Sequence, residues 1–447
     1  MRNYDAGCKG TRQVMNTPIC DFVKNYAQSD TLRLHMPGHK GMSFLGCENL
    51  DITEISGADA LYGADGIIAE SEKNATELFG SKATFFSAEG SSQCIKAMLC
   101  LAKMKSDSSD FTVLASRNVH KAFIYASGLL NIRVRWLFDE SDKFSLCRCK
   151  ITAQQLDKEL EKEKADAVYV TSPDYLGGEL DIKALSDVAH SHGAVMLVDN
   201  AHGAYLHFLA ESRHPLDLGA DMCCDSAHKT LPVLTGGAYL HINNERYIDS
   251  AKKALEMFGS TSPSYLILQS LDMCNAYLAD GYKDKLNDCI KKIEKLKIQL
   301  SANGWKVQPS DPLKLTVLST GINLSERLRQ NAIECEYEDP DYTVMMFTPE
   351  THDAAYEKIL SAAGVCDVAI NPPEMYLPFP EKCMEISDAL FSQNERVLLE
   401  NAVGRVVADT SVGCPPAVSV VVSGEKISEA AADIMQYYGI DKISVVK

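Results

Sequence analysis

Residues 167–202, AVYVTSPDYLGGELDIKALSDVAHSHGAVMLVDNAH, contain two apolar runs separated by a stretch with helical spacing. The run 167–170 predicts a buried strand, and a helix is predicted to begin after a capping Asp181. The run 194–198 predicts a second strand that ends at Asp199. Such units build a mostly parallel sheet with helices on its faces, and ligands bind at the carboxyl ends of its strands. We therefore expect a functional site at and after Asp199.

The same alternation of short apolar strands and helical patterns extends from about residue 75 to 245, which predicts an α/β fold. A long amphipathic helix follows and stops at Asn303-Gly304. A smaller α/β unit is predicted beyond it, with a helix opening at 348–350 and another near 387–402. The predicted parts are an N-terminal arm, a large domain and a small domain, at residues 1–50, 51–304 and 305–447.

Composition excludes several classes of protein. The chain has 447 residues, and its net charge of −17 argues against nucleic acid as a partner. No apolar stretch is long enough to span a membrane, and the start lacks the apolar segment of a secretory signal, so we expect a cytoplasmic protein.

The 15 cysteines are scattered through apolar runs without a CxxC pair. Since Cys147-Arg148-Cys149 alone is too little for zinc, no metal site is predicted.

The motif DSAHKT at 225–230 places Lys229 between two apolar runs, 221–224 and 231–234. An ammonium group in apolar surroundings is costly unless it is paired or deprotonated. Proteins keep such lysines mainly where the amine does chemistry, and formation of a Schiff base is the commonest such chemistry. Lys229 is therefore a candidate to bind pyridoxal 5'-phosphate (PLP) covalently.

PLP needs a phosphate site, and the sequence offers one candidate. Gly90, Ser91 and Ser92 precede a helical run, where hydroxyl groups and free backbone amides at a helix N-terminus can bind a phosphate. A Gly-Ser-Ser turn is also a common helix cap, so the turn alone decides nothing.

PLP also needs a carboxylate for its ring nitrogen, a partner for its phenolic oxygen and a flat group against its ring. Asp199 at the end of a strand, His202 three residues later and His120 after another strand are the candidates. For each of the three taken singly, a structural role is the better explanation. Together with Lys229 they occur in an order that favours a PLP enzyme.

The chain resembles the Orn/Lys/Arg decarboxylase family along nearly its whole length. The matching stretches are HMPGHKG (35–41), DITEISGADALYGADGIIAESEKNATELFG (51–80), EGSSQ (89–93), RNVHKA (117–122), SPDYLGG (172–178), DNAHGAY (199–205), DSAHKTLPVLTGGAYLH (225–241) and ENAVGRVVADTSVGCPPAVSVVVSGE (400–425). This resemblance implies a PLP-dependent transferase fold of the aspartate-aminotransferase type, with a PLP-binding large domain and a smaller C-terminal domain.

The resemblance also implies roles for individual residues. Lys229 corresponds to the Schiff-base lysine and Asp199 to the partner of the pyridine nitrogen. The stacking ring is His120, and His228 is a candidate proton donor. The phosphate ligands are Ser91, Ser92 and Ser226, next to Gly90. His202 as the partner of the phenolic oxygen follows related folds with the same Asp-x-x-His spacing.

Two departures from the family pattern bear on assembly and substrate. The large family members begin with a wing domain that builds decamers, but here the PGHK motif already stands at 37–40, so we expect a homodimer. The arm is then expected to lie over the partner subunit. The family usually has Tyr-Pro-Pro-Gly-Ile-Pro near the C-terminus, where this chain has CPPAVS at 414–419.

The predicted function is PLP-dependent decarboxylation of arginine, lysine or ornithine. One alternative is an aminotransferase or a carbon–sulfur lyase of the same fold, because the motifs that bind the cofactor do not fix the reaction. A further alternative is a catalytically idle binding protein, against which Lys229, Asp199 and His120 argue. The sequence does not identify the residue that binds the cationic end of the substrate.

Overall fold

A seven-stranded sheet forms the centre of the protein, whose computed structural model describes residues 15–139, 146–409 and 419–447. Its strands run in the order β1-β7-β6-β5-β4-β2-β3. The strand β7 is antiparallel to both neighbours, and the remaining pairs are parallel. The bounds are β1 (Ala83–Ser87), β2 (Thr112–Ser116), β3 (Arg133–Leu137), β4 (Ala167–Thr171), β5 (Val195–Asp199), β6 (Met222–Asp225) and β7 (Ala238–Ile242). The predicted α/β class with a mostly parallel sheet is confirmed.

Helices cover both faces of this sheet. Val168 and Val170 of β4 pack into one hydrophobic core, and Ala167 and Tyr169 pack into another. Because side chains alternate along a strand, a strand buried on both faces is apolar throughout, as the sequence indicated. The helices up to residue 302 are α1 (Pro18–Ala27), α2 (Ile67–Phe79), α3 (Gly90–Met104), α4 (Lys121–Leu129), α5 (Ala153–Lys162), α6 (Ile182–Ser191), α7 (Ala227–Thr230), α8 (Ile248–Glu256), α9 (Tyr265–Ala279) and α10 (Tyr282–Ala302).

The helix α1 (Pro18–Ala27) lies inside the predicted N-terminal arm. Pro18 occupies its first turn, and Ile19 and Val23 are fully buried. The backbone amide of Cys20 donates to the Asp272 carboxylate at 2.9 Å. The helix is therefore attached to the large-domain core. Residues 1–14 lie outside the described part of the chain.

Two smaller antiparallel sheets follow α10. One has the order β10-β11-β9-β8, and the other has the order β12-β14-β13. Their strands are β8 (Lys306–Gln308), β9 (Lys314–Leu318), β10 (Tyr337–Glu338), β11 (Tyr342–Met346), β12 (Asn394–Leu398), β13 (Val407–Asp409) and β14 (Lys442–Val446). The accompanying helices are α11 (Leu324–Gln330), α12 (Ala354–Ala363), α13 (Ile386–Leu390) and α14 (Glu429–Tyr437).

Two expectations for this region need correction. The helix expected to open at 348–350 begins later, at Ala354, after a turn. The helix expected near 387–402 is instead the short α13 followed by β12. β12 forms because Asn394–Leu398 pairs with Lys442–Val446, a partner distant in sequence that overrides local helical spacing. The division at residue 304 stays a prediction; Leu315 and Val317 of β9 belong to the large hydrophobic core.

The direction of the strands brings five chain segments to one edge of the large sheet. β1 is antiparallel to β7, which is antiparallel to β6, so β1 points the same way as β2, β4, β5 and β6. A different segment follows each of these strands at this edge. In the order β1, β2, β4, β5 and β6, these segments are α3, the turn with His120, the loop 172–178, the turn after Asp199, and α7. No helix in the described ranges is long and apolar enough to cross a membrane.

Candidate active site

Lys229 lies in α7, the short helix that follows the buried strand β6. Its Nζ is 3.1 Å from Nε2 of His202, which follows β5. Burial and the charge of Lys229 hold the pKa of His202 well below its usual 6.5, so the imidazole is neutral at pH 7. The Nδ1 atom of His202 is buried and has no hydrogen-bond partner among the described residues. The structure thus brings these two predicted site residues into contact.

Asp199 ends β5 and is 2 % exposed. Its carboxylate accepts hydrogen bonds from the Tyr169 hydroxyl at 3.3 Å, the Ala201 amide at 3.1 Å and the Cys224 thiol at 3.6 Å. Burial raises the pKa of Asp199, and the charge of Lys229 opposes that rise. No ion pair to this carboxylate is found in the described residues. A buried carboxylate in this state is suited to a cationic partner.

The predicted phosphate ligands meet at the N-terminus of α3. The Ser226 hydroxyl donates to the Ser91 hydroxyl at 2.8 Å, although 135 residues separate them. Gly90, with φ of +74°, opens the helix, and Ser92 is half-buried in its first turn. Glu89 before them makes no side-chain cap. The hydroxyl groups of Ser91 and Ser92 and the backbone amides of the first turn can therefore donate to a phosphate, at a helix end that favours anions.

His120 and His228 lie within electrostatic reach of Lys229. His120 caps α4, because its Nδ1 accepts from the Ala122 amide at 3.1 Å. Burial and then the charge of Lys229 lower the pKa of His120 to about 4. His228 Nδ1 donates to the Gly237 carbonyl at 3.0 Å, which leaves the lone pair on Nε2. Burial lowers the pKa of His228 as well, so both rings are neutral at pH 7.

These observations fit PLP. The buried Nδ1 of His202 lacks a hydrogen-bond partner among the described residues and gains one when a polar cofactor binds. The buried Asp199 carboxylate accepts hydrogen bonds only from uncharged donors, so a cationic group of the cofactor would add the ion pair that it lacks among the described residues. The turn with Ser91 and Ser226 supplies donors for a phosphate. Lys229 supplies an amine next to a neutral imidazole, which suits a lysine that bonds covalently to a carbonyl compound.

A second cluster lies below the site, in the core around β6. The Asp225 Oδ2 atom accepts from Nε2 of His214 at 3.0 Å and from Nε2 of His241 at 3.1 Å, and all three side chains are fully buried. Asn200 Nδ2 donates to Oδ1 at 2.6 Å. His214, Asp225 and Cys223 are close enough together to hold a metal ion. The imidazole protons already satisfy Asp225, so we describe the cluster as a hydrogen-bond network.

Sequence reasoning assigned no role to several residues around the site. Arg117, three residues before His120, makes two hydrogen bonds to the Glu425 carboxylate, at 2.8 and 2.6 Å, and both side chains are buried. The Tyr175 ring packs edge-on against His202 with centroids 4.9 Å apart. Both lie in stretches that match the family, but their partners are far away in sequence, so no local signal identified the contacts. The CPPAVS segment lies outside the described residues up to position 418.

Comparison with known proteins identifies the family. Residues 17–349 match the sequence model of the Orn/Lys/Arg decarboxylase major domain, and residues 371–442 match that of its C-terminal domain. The chain belongs to the Orn/Lys/Arg decarboxylase family. Within this family it is an amino-acid decarboxylase that uses PLP, as the sequence predicted.

Similar proteins of this family cover most of the chain. An arginine decarboxylase of Bacillus subtilis is 30% identical over 92% of this chain and 91% of its own length. An arginine decarboxylase of Halalkalibacterium halodurans is 29% identical over 93% of this chain and 91% of its own. The Francisella novicida lysine decarboxylase LdcF has a TM-score of 0.81 and covers 98% of this chain and 82% of its own, at 16% identity. That last likeness supports the fold.

Proposed function

We propose that this decarboxylase converts arginine, lysine or ornithine into carbon dioxide and the corresponding amine. Arginine is the first candidate, because relatives named arginine decarboxylase align with more than nine-tenths of the chain. The observation that carries the proposal is the contact between Lys229 and His202 beside the buried Asp199. It places an amine, a neutral imidazole and a carboxylate at the same edge of the sheet.

The proposed roles follow from these contacts. Lys229 would hold PLP covalently, with Asp199 at its ring nitrogen, His120 against its ring and His202 at its phenolic oxygen. Gly90, Ser91, Ser92 and Ser226 would hold the phosphate. When bound, PLP supplies an electron sink for the bond to the departing carboxylate.

The reaction also needs a proton donor for Cα. Loss of carbon dioxide leaves Cα in need of a proton, and His228 and Lys229 are the candidates to deliver it. Because His228 Nδ1 donates to the Gly237 carbonyl, its Nε2 is the atom that takes up and releases the proton. Burial keeps the pKa of His228 below 6.5, which favours release.

An assay of the purified protein with PLP and each of the three amino acids tests the proposal. We expect carbon dioxide and an equal amount of the matching amine. Formation of a keto acid would favour the aminotransferase, release of sulfide from a thiol amino acid would favour the lyase, and no product from any substrate would favour the idle protein.

We further propose a homodimer. A run of large apolar side chains near the N-terminus is exposed in the single chain, including Leu34 at 82 %, Phe44 at 79 % and Leu45 at 89 %. Exposed apolar groups at such density are typical of an interaction surface. The loop that bears Phe44 and Leu45 is held by Glu48, whose carboxylate accepts from their two amides and from that of Gly46. A loop so fixed is suited to pack against a second copy.

We also propose that the protein works in the cytoplasm. Every cysteine in the described residues is a free thiol, and most of them are buried. Reduced cysteines are the usual state there.

A further inference from the structure

A cluster of three sulfur atoms lies where α3 packs against α8. The Cys100 Sγ atom is 3.7 Å from the Met104 Sδ atom and 4.0 Å from the Met257 Sδ atom. Other thiols contact oxygen atoms instead, as Cys20 does at the Gln269 carbonyl, 3.3 Å away. Cys100, Met104 and Met257 are called the sulfur cluster below.

Regular backbone holds the sulfur cluster in place. Cys100 and Met104 are four residues apart on α3, so both project from the same face of that helix. Met257 follows α8 directly, as its C-terminal cap. A hydrogen bond from Gln93 Nε2 to the Leu255 carbonyl, at 2.8 Å, joins the two helices. Fixed elements therefore bring the sulfur atoms together before any ligand binds.

The thiol and the two thioethers differ in exposure. Cys100 is 2 % exposed, whereas Met104 and Met257 are 42 % and 57 % exposed. A methionine that fills a gap in a hydrophobic core is buried, so these two side chains do not serve that purpose. They lie at the surface next to a buried thiol, where an ion can approach from solvent.

The spacing of the sulfur atoms suits a metal ion better than it suits hydrogen bonding. The thiol has one proton to donate and two thioethers within reach, so at any moment one thioether lacks a donor. Sulfur ligands that are each about 2.3 Å from one ion lie about 3.8–4.0 Å from one another in tetrahedral or trigonal geometry. Both sulfur–sulfur distances in the cluster are close to this spacing.

We propose that Cys100, Met104 and Met257 form a binding site for a soft monovalent metal ion, Cu(I). Thiolate and thioether ligands select such ions, whereas harder ions prefer nitrogen and oxygen. When the ion binds, the thiol S–H bond breaks, its proton goes to solvent and the sulfur lone pair binds the metal, without a change in oxidation state. One thiolate balances the single charge of the ion, so the occupied site is neutral.

Two lysine charges act on the thiol of Cys100. Burial raises its pKa, and the charges of Lys253 and Lys103 oppose that rise. Lys103 is held on α3 by hydrogen bonds from its Nζ atom to the carbonyls of Leu130 and Asn131. At neutral pH the thiol therefore keeps its proton until a metal ion displaces it.

The same helix carries the proposed phosphate ligands. Ser91 and Ser92 stand at the N-terminus of α3, and the sulfur cluster lies further along it. The Ser260 amide, three residues after Met257, donates to the carboxylate of Glu89, directly before α3. An ion in the sulfur cluster thus fastens α3 to the segment that leaves α8, behind the phosphate turn. This role does not depend on which amino acid is decarboxylated.

Competition for Cu(I) between the holoenzyme and a coloured chelator, without oxygen, tests the site. We expect X-ray absorption of the wild type to show sulfur neighbours at about 2.3 Å. Met104→Leu and Met257→Leu keep every thiol, and each should weaken binding by about tenfold or more, because even outer partners of a metal site are worth 10–100-fold. Met273→Leu removes an exposed methionine of α9 and is the matched control, with the affinity of wild type.

Cys100→Ser should lose the ion, and Cys383→Ser, which removes an exposed thiol, should keep it. Cu(I) should also raise the melting temperature of the wild-type holoenzyme more than that of Met104→Leu. Equal affinities in wild type, Met104→Leu and Met257→Leu would overturn the three-sulfur site, even if Cys100→Ser lost the ion. A wild type that takes no Cu(I) from the chelator would overturn it outright.

Discussion

The Nζ atom of Lys229 lies 3.1 Å from Nε2 of His202, although 27 positions separate them in the chain. β5 and β6 are adjacent and parallel, so the turns that follow them emerge side by side. The contact therefore depends on the order of strands in the sheet. It joins the residue proposed to bind the cofactor to the one proposed to bind its phenolic oxygen.

Replacement of Lys229 by alanine removes the only side-chain amine that the proposal gives to the cofactor. We expect Lys229→Ala to lose the visible absorbance of covalently held PLP and to lower kcat by a factor of roughly 10³ or more. Absorbance spectra and a carbon dioxide assay measure the two effects. Lys183→Ala, which removes an exposed lysine paired with Asp187, is the control. A yellow, fully active Lys229→Ala protein would contradict the proposed role.

Asp199→Asn keeps the size of the side chain and removes its charge. We expect PLP to remain bound, because the covalent bond and the phosphate site are intact. The activation free energy should rise by about 3 kcal/mol, and the rate should fall accordingly, since an amide cannot stabilise a positive ring nitrogen. Single-turnover kinetics with the retained cofactor measure this loss. Near-normal rates would show that another residue serves the ring nitrogen.

Asp225 should contribute to stability through its two histidine partners. Burial alone would raise its pKa, but attraction and hydrogen bonds from His214 and His241 hold that pKa below the usual 3.8. We expect Asp225→Asn to lower the free energy of unfolding by about 3 kcal/mol, because one imidazole N–H then lacks an acceptor in the core. Because the folded pKa is depressed, the stabilisation is present at neutral pH and is lost as pH falls below 3.8.

Denaturant unfolding of the holoenzyme measures the effect of Asp225→Asn. The control is Asp217→Asn, which breaks a half-exposed contact with His207 and should cost less than about 1 kcal/mol. Equal stability of the two variants would show that the buried network contributes nothing beyond a surface pair.

Glu48 links the proposed dimer to pH. Burial acts to raise its pKa, but hydrogen bonds from the amides of Leu45, Gly46 and Phe44 outweigh it and lower the pKa from 4.5 to about 2. The loop is therefore held fully above pH 4.5 and released as pH falls toward 2. We expect the dimer to dissociate severalfold more readily in Glu48→Gln at pH 7, and the difference from wild type to shrink near pH 2.

Sedimentation of the wild type and of Glu48→Gln between pH 7 and pH 2 measures the dissociation constant of the dimer. Glu77→Gln removes an exposed carboxylate of α2 and serves as the control. Equal dissociation constants at pH 7 would contradict a role of this loop in the dimer.

Local sequence was sufficient to predict those helices and strands whose signals lie within the element itself. The apolar run at 194–198, the cap at Asp181 and the break at Asn303-Gly304 are each determined by residues within one element, and each is found in the structure as expected. Family motifs pointed to Lys229 and Asp199, but geometry alone joined Lys229 to His202. Contacts such as Tyr175 to Glu336 span 161 residues and leave no periodic signal, so sequence reasoning did not find them. β12 was missed for the same reason.

The buried pair of Arg117 and Glu425 has a consequence for the order of synthesis. The two residues are 308 positions apart, and Arg117 also donates to the Val420 carbonyl at 3.2 Å. The turn that carries His120 thus depends on a residue that leaves the ribosome 308 positions after Arg117. At elongation rates of about 5–20 residues per second, roughly a quarter to one minute passes between the emergence of the two partners. A nascent chain that ends before Glu425 leaves Arg117 without this carboxylate, so the pair that fixes the turn forms only after Glu425 has emerged.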